Sequence, residues 1–208
     1  AVDMEHGSIS YSDLPNIFRA LELGGTLPIA RIAEGTISNC KQALDAGAGG
    51  IIAPMIMDAE QLEQIINWCC WPPKGIRGVG YSRANLYGKH FDTYRNEAQA
   101  PLIIAQIEHI KAVNNLESIL SVGGLDATII GPYDLSASMG LTGDLEHPGV
   151  IKAGKKVIEI SNKIGIPSGL HVVAPDKEKL KIATDNGYSF IAYSLDAVFL
   201  TDKIDNPY

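Results

Sequence analysis

The segment from Leu102 to Asp134, LIIAQIEHIKAVNNLESILSVGGLDATIIGPYD, decides the fold of this 208-residue chain. It holds two mostly apolar runs, at residues 102–107 and 127–131, on either side of a helical pattern at residues 114–120. Consecutive rather than alternating apolar residues are typical of parallel strands that are buried on both faces. The segment therefore predicts a strand–helix–strand unit with two parallel neighbouring strands.

The same unit repeats along almost the whole chain. Further strands are predicted at residues 27–32, 50–54, 167–172 and 190–193, and residues 1–2 resemble the tail of another. Helices are predicted at residues 12–23, 38–47, 150–164, 176–185 and 195–202, with one more that begins at Asp58. Seven strands are one fewer than an eight-stranded barrel needs. We therefore expect an α/β fold, a (β/α)8 TIM barrel whose first β/α unit is missing, as one domain over residues 1–208.

Two features favour this barrel over an open, doubly wound sheet. No GxGxxG or GxxxxGK[ST] motif follows the first strands, so the nucleotide-binding open sheets lack support. Polar residues instead follow the carboxyl ends of several strands, as they do on the catalytic face of a barrel. They are Asp3, Glu5, His6, Arg31, Gln106, Glu108, Asp134, His171 and Ser194.

Composition excludes several classes of protein. Seventeen basic and 24 acidic residues give a net charge of −7, which argues against nucleic acid or an anionic membrane as the main partner. The longest apolar run is well short of the roughly 20 residues that a membrane span needs. Cys40, Cys69 and Cys70 lack CxxC spacing and are interpreted as buried, reduced thiols, which fits a cytoplasmic location.

Glu108 and Asp134 end neighbouring predicted strands, so both carboxylates are expected at the mouth of the barrel. Two unpaired carboxylates repel each other, which raises a pKa or requires a cation. Carboxylate oxygens and water suit a hard divalent ion such as Mg²⁺ or Mn²⁺. The alternative is structural: Glu108 caps the next helix and Asp134 forms a turn.

Four other residues at the ends of predicted strands or helices could take part in chemistry. Arg31 closes a short apolar strand, where it is expected to stabilise an enolate or bind a carboxylate, or else to form a salt bridge. His6, close to Asp3, is a candidate general base, although a solvated histidine is the simpler interpretation. Asp45, in the last turn of its helix, opposes the helix dipole, which indicates a role at a site or an interface. His171 either lines the pocket or is a satisfied core histidine.

Two absences narrow the chemistry further. No predicted strand contains lysine, so a Schiff-base mechanism lacks its nucleophile. No glycine-rich phosphate loop follows the last two strands, which disfavours a phosphorylated substrate. Two long connections, at residues 71–101 and 132–148, are interpreted as candidate lids on the active face.

With these residues placed, the chain resembles the HpcH/HpaI family of class II pyruvate aldolases over nearly its whole length. The resemblance rests on six motifs in order: VDMEH at 2–6, PIAR at 28–31, LDAGA at 44–48, PPKGIRGVG at 72–80, QIE at 106–108 and GPYDLS at 131–136. It implies carbon–carbon cleavage or formation of 4-hydroxy-2-oxo acids from pyruvate and an aldehyde. It also implies a divalent metal (Mg²⁺ or Mn²⁺, with Co²⁺ or Zn²⁺ as further candidates) and a homo-oligomer, often a hexamer.

The resemblance also implies roles for individual residues. The metal ligands fall on Glu108 and Asp134, and the enolate-stabilising arginine falls on Arg31. The histidine base and its partner fall on His6 and Asp3. The remaining assignments are Asp45 as a catalytic residue and Gln106, Pro132 and Tyr133 as substrate-binding residues. The stretches at 81–94 and 169–171 differ from the family pattern, so the aldehyde is not defined by the resemblance.

Two other functions remain alternatives. An acyl-CoA lyase of the citrate-lyase β-subunit or malyl-CoA type has a related barrel, but the sequence has no basic cluster for the phosphates of coenzyme A. A barrel that binds small acids without turnover is the second alternative, and the intact ligand and base positions argue against it.

Overall fold

The computed structural model describes residues 1–202 and 204 of the chain. Its centre is a seven-stranded parallel sheet in which the strands follow their order in the sequence. The strands are β1 (Val2–Asp3), β2 (Ile29–Arg31), β3 (Gly50–Ala53), β4 (Leu102–Ile107), β5 (Ala127–Ile130), β6 (Ser168–Val172) and β7 (Phe190–Tyr193). The sheet curls into an incomplete barrel with β1 and β7 at its edges. The predicted fold class is confirmed; the predicted domain end at residue 208 lies outside the described residues.

Ten α-helices lie between and after these strands in the described part of the chain. They are α1 (Leu14–Leu23), α2 (Ile37–Asp45), α3 (Ala59–Cys69), α4 (Phe91–Glu97), α5 (Ile110–Asn114), α6 (Leu116–Leu120), α7 (Pro132–Ser138), α8 (Pro148–Ile164), α9 (Lys177–Asp185) and α10 (Asp196–Thr201). A 3₁₀ helix, Arg83–Gly88, precedes α4.

The register of the strands determines which side chains face the inside of the curled sheet. Ile52, Ile104 and Ile129 form a small core of strand residues alone on this concave face. A larger core on the other face packs the sheet against the helices. Since paired residues of neighbouring strands face the same side, Arg31, which pairs with Ile52, and Gln106, which pairs with Ile129, lie on the concave face.

The helices differ from the prediction at several boundaries, including the start of α2 and the extent of the helix predicted at residues 114–120. Helix α2 begins at Ile37, because the Thr36 hydroxyl accepts the Asn39 backbone N–H at 3.2 Å and caps the helix. The single helix predicted at residues 114–120 is a pair, α5 and α6, that meet at Asn115. The imidazole of His109 caps α5, so Glu108 remains available for another role.

One of the two predicted lids is wrongly placed. Residues 71–101 follow helix α3, and the Trp71 backbone N–H donates to Ala98. A connection from a helix to the next strand lies at the amino-terminal edge of a parallel sheet, away from the expected active face. Residues 132–148 follow strand β5, as predicted, and begin with helix α7.

The cysteine interpretation is confirmed, because Cys40, Cys69 and Cys70 are free and buried. Among residues 1–202 and 204, no helix combines the length and apolar character needed to cross a membrane.

Candidate active site

Charged side chains from four strand ends meet at the carboxyl-terminal edge of the sheet. Asp3 ends β1, Arg31 ends β2, Glu108 follows β4, and Asp134 follows β5 in the first turn of α7. Strands that run in parallel place their carboxyl ends at one edge, which explains how residues far apart in sequence come together.

Arg31 is bound by two acids, Asp3 at the end of β1 and Glu5 in the loop that follows. Its Nε donates to Asp3 Oδ1 at 2.8 Å, and its Nη2 donates to Asp3 Oδ2, so the pair is bidentate. Its Nη1 lies 3.2 Å from Glu5 Oε2. Burial alone lowers the pKa of Arg31, but Asp3, Glu5 and Glu108 together outweigh it and raise that pKa. The guanidinium is therefore fixed, charged and directed toward the carboxylate cluster.

The pKa values of the two acids that bind Arg31 move in opposite directions. Burial raises the pKa of Asp3, but the hydrogen bonds from Arg31 and from the backbone of Glu5 outweigh burial and lower it. Burial raises the pKa of Glu5, and the negative charges of Asp3 and Asp134 raise it further. Together these effects outweigh the positive charge of Arg31, which lowers that pKa. The cluster thus carries more acid than Arg31 neutralises.

Glu108 is the most buried acid of the cluster, with 1% of its surface exposed. Its Oε1 accepts the Met55 backbone N–H at 2.7 Å, and its Oε2 accepts the side-chain amide of Gln106. Met55 presents its N–H from a left-handed conformation, φ 53°. Burial raises the pKa of Glu108 to about 7, and the charges of Glu5 and Asp134 contribute to the shift. A nearby cation would remove this penalty on the ionised form.

The loop after β5 holds the other predicted substrate and metal residues. Pro132 begins helix α7, and Tyr133 and Asp134 are exposed in its first turn. An acid in the first turn of a helix is stabilised by the helix dipole. Gly131, just before the helix, lies so close to Glu108 that a Cβ there would meet its Oε2 at 2.5 Å. The close approach brings the backbone of this loop against the Glu108 carboxylate.

The predicted pairing of His6 with Asp3 takes a different form. Asp3 accepts the backbone N–H groups of Glu5 and His6, at 3.0 and 3.3 Å, in addition to the Arg31 guanidinium. The ring of His6 is largely exposed and its Nε2 lies 3.9 Å from Glu5 Oε2. Asp3 therefore shapes the turn that carries His6, and the carboxylate next to the ring is Glu5.

The structure does not bring Asp45 to this cluster within one chain. Asp45 ends helix α2, and because helices run antiparallel to the strands, that end lies at the amino-terminal edge of the sheet. Burial raises its pKa against the opposing effects of Arg77 and Lys41. Its predicted catalytic role stays a prediction, and a position at an interface remains the alternative.

Sequence reasoning did not assign some of the groups that build the site. Glu5 was recognised only as a polar strand-end residue, and the Met55 backbone N–H carries no sequence signal because every residue type except proline has one. The motif GPYDLS contains Gly131, but the sequence does not show that the backbone there lies against the Glu108 carboxylate. These contacts join strands that are distant in sequence, so no local pattern reveals them.

The donor set of the cluster fits a hard divalent cation held in part by the protein. Glu108 and Asp134 supply carboxylate oxygens, the ligand type that Mg²⁺ and Mn²⁺ prefer. In the described part of the chain, no group of three His, Cys, Asp or Glu side chains is arranged to hold a metal ion by itself. A cation here would complete its coordination with water or substrate, which leaves positions open for chemistry.

Comparison with known proteins adds independent information. A family model described as HpcH/HpaI aldolase/citrate lyase matches residues 1–202. The hydroxypyruvate/pyruvate aldolase of Roseobacter denitrificans is 34% identical over 202 residues, which span 96% of this chain and 78% of that protein. The 2-keto-3-deoxy-L-rhamnonate aldolase of Salmonella gallinarum is 34% identical over 208 residues, spanning 99% of this chain and 77% of that protein. The crystal structure of an HpcH/HpaI aldolase/citrate lyase family protein from Burkholderia cenocepacia superposes with a TM-score of 0.91 at 31% identity, covering 97% and 80% of the two chains.

Proposed function

The chain belongs to the HpcH/HpaI aldolase/citrate lyase family, and from this membership and the site we propose that it is a metal-dependent pyruvate aldolase. The reaction is cleavage of a 4-hydroxy-2-oxo acid into pyruvate and an aldehyde, or the reverse addition. The observation that carries the proposal is the buried Glu108, whose pKa is raised by burial and by the charges of Glu5 and Asp134, and whose charge also acts on Arg31. The relatives that match nearly the whole chain are named aldolases, so an acyl-CoA lyase and a non-catalytic barrel are not favoured.

Glu108 and Asp134 would hold the divalent ion. When bound, the ion supplies Lewis-acid stabilisation of the negative charge that develops on the oxygen of the oxo group. Gln106, which donates to Glu108, orients that carboxylate, and its amide would also contact the substrate. Pro132 and Tyr133 lie next to Asp134 at the mouth and would contact the substrate there.

Arg31 would stabilise the enolate that forms when the carbon–carbon bond breaks. Its guanidinium is fixed by Asp3 and Glu5, so little reorganisation is needed as charge develops on the substrate. His6, at the exposed rim of the site, would accept the proton of the 4-hydroxyl group. Glu5, 3.9 Å from the His6 ring, is the acid placed to stabilise the protonated imidazole.

The proposal is tested by incubating the purified protein and Mn²⁺ with pyruvate and a panel of aldehydes, and by identifying products by mass. Treatment with EDTA is expected to abolish product formation, and added Mn²⁺ or Mg²⁺ is expected to restore it. The reason is that chelation removes the Lewis acid that would stabilise the charge developing on the oxo group. A product yield that is indifferent to EDTA would contradict the metal role. The cytoplasmic location and the hexameric homo-oligomer stay predictions.

Replacing Gly131 with alanine is expected to weaken Mn²⁺ binding by roughly 10- to 100-fold, because displaced supporting contacts cost metal affinity on this scale. The new Cβ would meet Glu108 Oε2 at 2.5 Å and Glu108 Cβ at 3.0 Å, so the carboxylate must move. Titration of Mn²⁺ by calorimetry measures the change. Gly123→Ala is the matched control, since no atom lies within 4 Å of a Cβ at that position. Equal affinities in the two variants would show that the position of Glu108 is not critical.

A further inference from the structure

The imidazole of His171, on β6, has a buried nitrogen, Nε2, without a hydrogen-bond partner among the described residues. His171 pairs with Ala192 in the sheet, and Ala192 packs against the concave core, so the ring faces the inside of the curled sheet. A buried polar atom without a partner costs free energy that a bound substrate can restore. These contacts favour a pocket-lining His171 over a satisfied core histidine.

The other ring nitrogen fixes the orientation of the imidazole. The ring forms a hydrogen bond with the backbone of Ser194 that favours the protonated form, so the ring is the donor in it. Because Nε2 has no partner, the donor is Nδ1, and in the neutral ring Nε2 carries the lone pair. A histidine that is held through Nδ1 and has a free lone pair on Nε2 is arranged as a general base.

Charged groups of the active site act on this ring. Burial and the positive charge of Arg31 lower the pKa of His171, and they outweigh the Ser194 hydrogen bond and the charge of Asp3, which raise it. The ring is therefore neutral at neutral pH and able to accept a proton. The same surroundings destabilise the protonated ring, so it returns a proton readily. Since Arg31 and Asp3 belong to β2 and β1, their influence places His171 across the curled sheet from them, at the same pocket.

The proposed aldolase reaction moves two different protons. One belongs to the 4-hydroxyl group, and His6 is assigned to it. The other belongs to the methyl carbon of pyruvate, which loses a proton before addition and regains one after cleavage. Glu108 and Asp134 are assigned to the cation and Arg31 to the enolate. These assignments leave the proton of the methyl group without a base.

We propose that His171 Nε2 is the base that removes the methyl proton of pyruvate in the addition direction and returns it after cleavage. As the C–H bond breaks, the proton moves to Nε2 and its electron pair becomes the C2–C3 double bond. The oxo group becomes an enolate oxygen, whose charge Arg31 stabilises. The inference rests on the proposed aldolase function and deepens it by naming a second catalytic histidine. His171 lies in the stretch at 169–171 that differs from the family pattern, so the family motifs do not assign it this role.

The test follows hydrogen exchange at the methyl group of pyruvate in D₂O, with Mg²⁺ present and without any aldehyde. Proton NMR measures the incorporation of deuterium, and calorimetry measures the affinity for pyruvate. The wild-type protein is expected to exchange the methyl protons. His171→Asn retains a donor for the Ser194 backbone but lacks Nε2. It is expected to slow the exchange by at least about 100-fold, with the affinity for pyruvate changed by less than about 3-fold.

A matched variant controls for the loss of a histidine. His90→Asn, at an exposed position before α4, makes the same substitution away from the site and is expected to leave both measurements unchanged. Aldol addition by His171→Asn is expected to fall together with the exchange, because the enolate must form before it attacks the aldehyde.

Each other outcome has a definite meaning. An unchanged exchange rate in His171→Asn would overturn the inference alone, as would a wild-type protein that forms aldol products without exchanging the methyl protons. A loss of exchange that is matched by an equal loss of pyruvate affinity would also overturn it, since His171 would then bind the substrate without moving the proton. A wild-type protein that neither exchanges these protons nor forms an aldol product would contradict the proposed function, and this inference with it.

Discussion

Replacing Glu108 with glutamine is expected to lower metal-dependent aldol cleavage by at least about 100-fold, the scale on which preorganised charge stabilisation is lost. The variant loses the charge that would bind the cation but keeps nearly the same shape. Its side-chain oxygen can still accept the Met55 N–H, and rotation of the Gln106 amide restores the second contact. Initial rates at saturating Mn²⁺, together with Mn²⁺ affinity, measure the loss.

The same substitution makes a distinctive prediction for the stability of the metal-free protein. The folded-state pKa of Glu108, about 7, lies above its ordinary value of 4.5. The unfolded chain therefore loses this proton first, and the group destabilises the folded state as the pH rises from about 4.5 to about 7. Glutamine removes this cost, so urea unfolding in EDTA should show the variant gaining stability over wild type across that window.

Glu60→Gln, at an exposed position on α3, is the control for both measurements. It changes the net charge by the same amount without touching the site, so it should alter neither the rate nor the pH dependence. Full activity in Glu108→Gln would remove Glu108 from the metal site. A variant less stable than wild type at pH 8 would show that the ionised carboxylate is compensated by the protein itself.

Most of the fold was predictable because the strands carry a strong local signal. Runs such as Leu102–Ile107 and Ala127–Ile130 are mostly apolar and do not alternate with polar residues, since the concave core and the helix layer bury both faces. The errors lie where local pattern is ambiguous. The start of α2 depends on which of several polar residues caps it, and only the contact with Thr36 decides. Residues 71–101 lie at the amino-terminal edge of the sheet because they connect a helix to the next strand. The composition of the segment does not indicate this connectivity.

The residues that form the site could be predicted from the sequence, but the contacts between their side chains could not. Order along a parallel sheet places Asp3, Arg31, Glu108 and Asp134 at one edge, so strand assignment alone brings them together. Which acid holds which base depends on side-chain geometry across strands. Asp3 binds Arg31 through two hydrogen bonds, which leaves Glu5 as the neighbour of the His6 ring. The family motifs predict which residues are present, but not that the carboxylate next to the His6 ring is Glu5 instead of Asp3.

Replacing Arg31 with lysine is expected to lower kcat by roughly 100- to 1,000-fold with KM changed much less, because the lost contact acts on charge that develops only in the transition state. A lysine ammonium keeps the positive charge but cannot bind Asp3 through two donors while also reaching Glu5. Because the positive charge remains, the free energy of unfolding is expected to fall by less than about 2 kcal/mol. Both acids are partly exposed, which keeps this loss small.

The contrast between rate and stability makes the prediction specific to catalysis. Arg19→Lys, on the exposed face of α1, where Arg19 Nη2 donates to Asn16 at 2.7 Å, should change kcat by less than about 2-fold. If Arg31 only held the loop after β1 in place, the loss of activity in Arg31→Lys would follow the fraction of unfolded protein. Activity would then recover at lower temperature. A kcat that falls by two orders of magnitude in a folded variant with Mn²⁺ still bound requires a guanidinium at the developing enolate. A kcat near that of wild type would assign the stabilisation of the developing charge to the cation that Glu108 and Asp134 would hold.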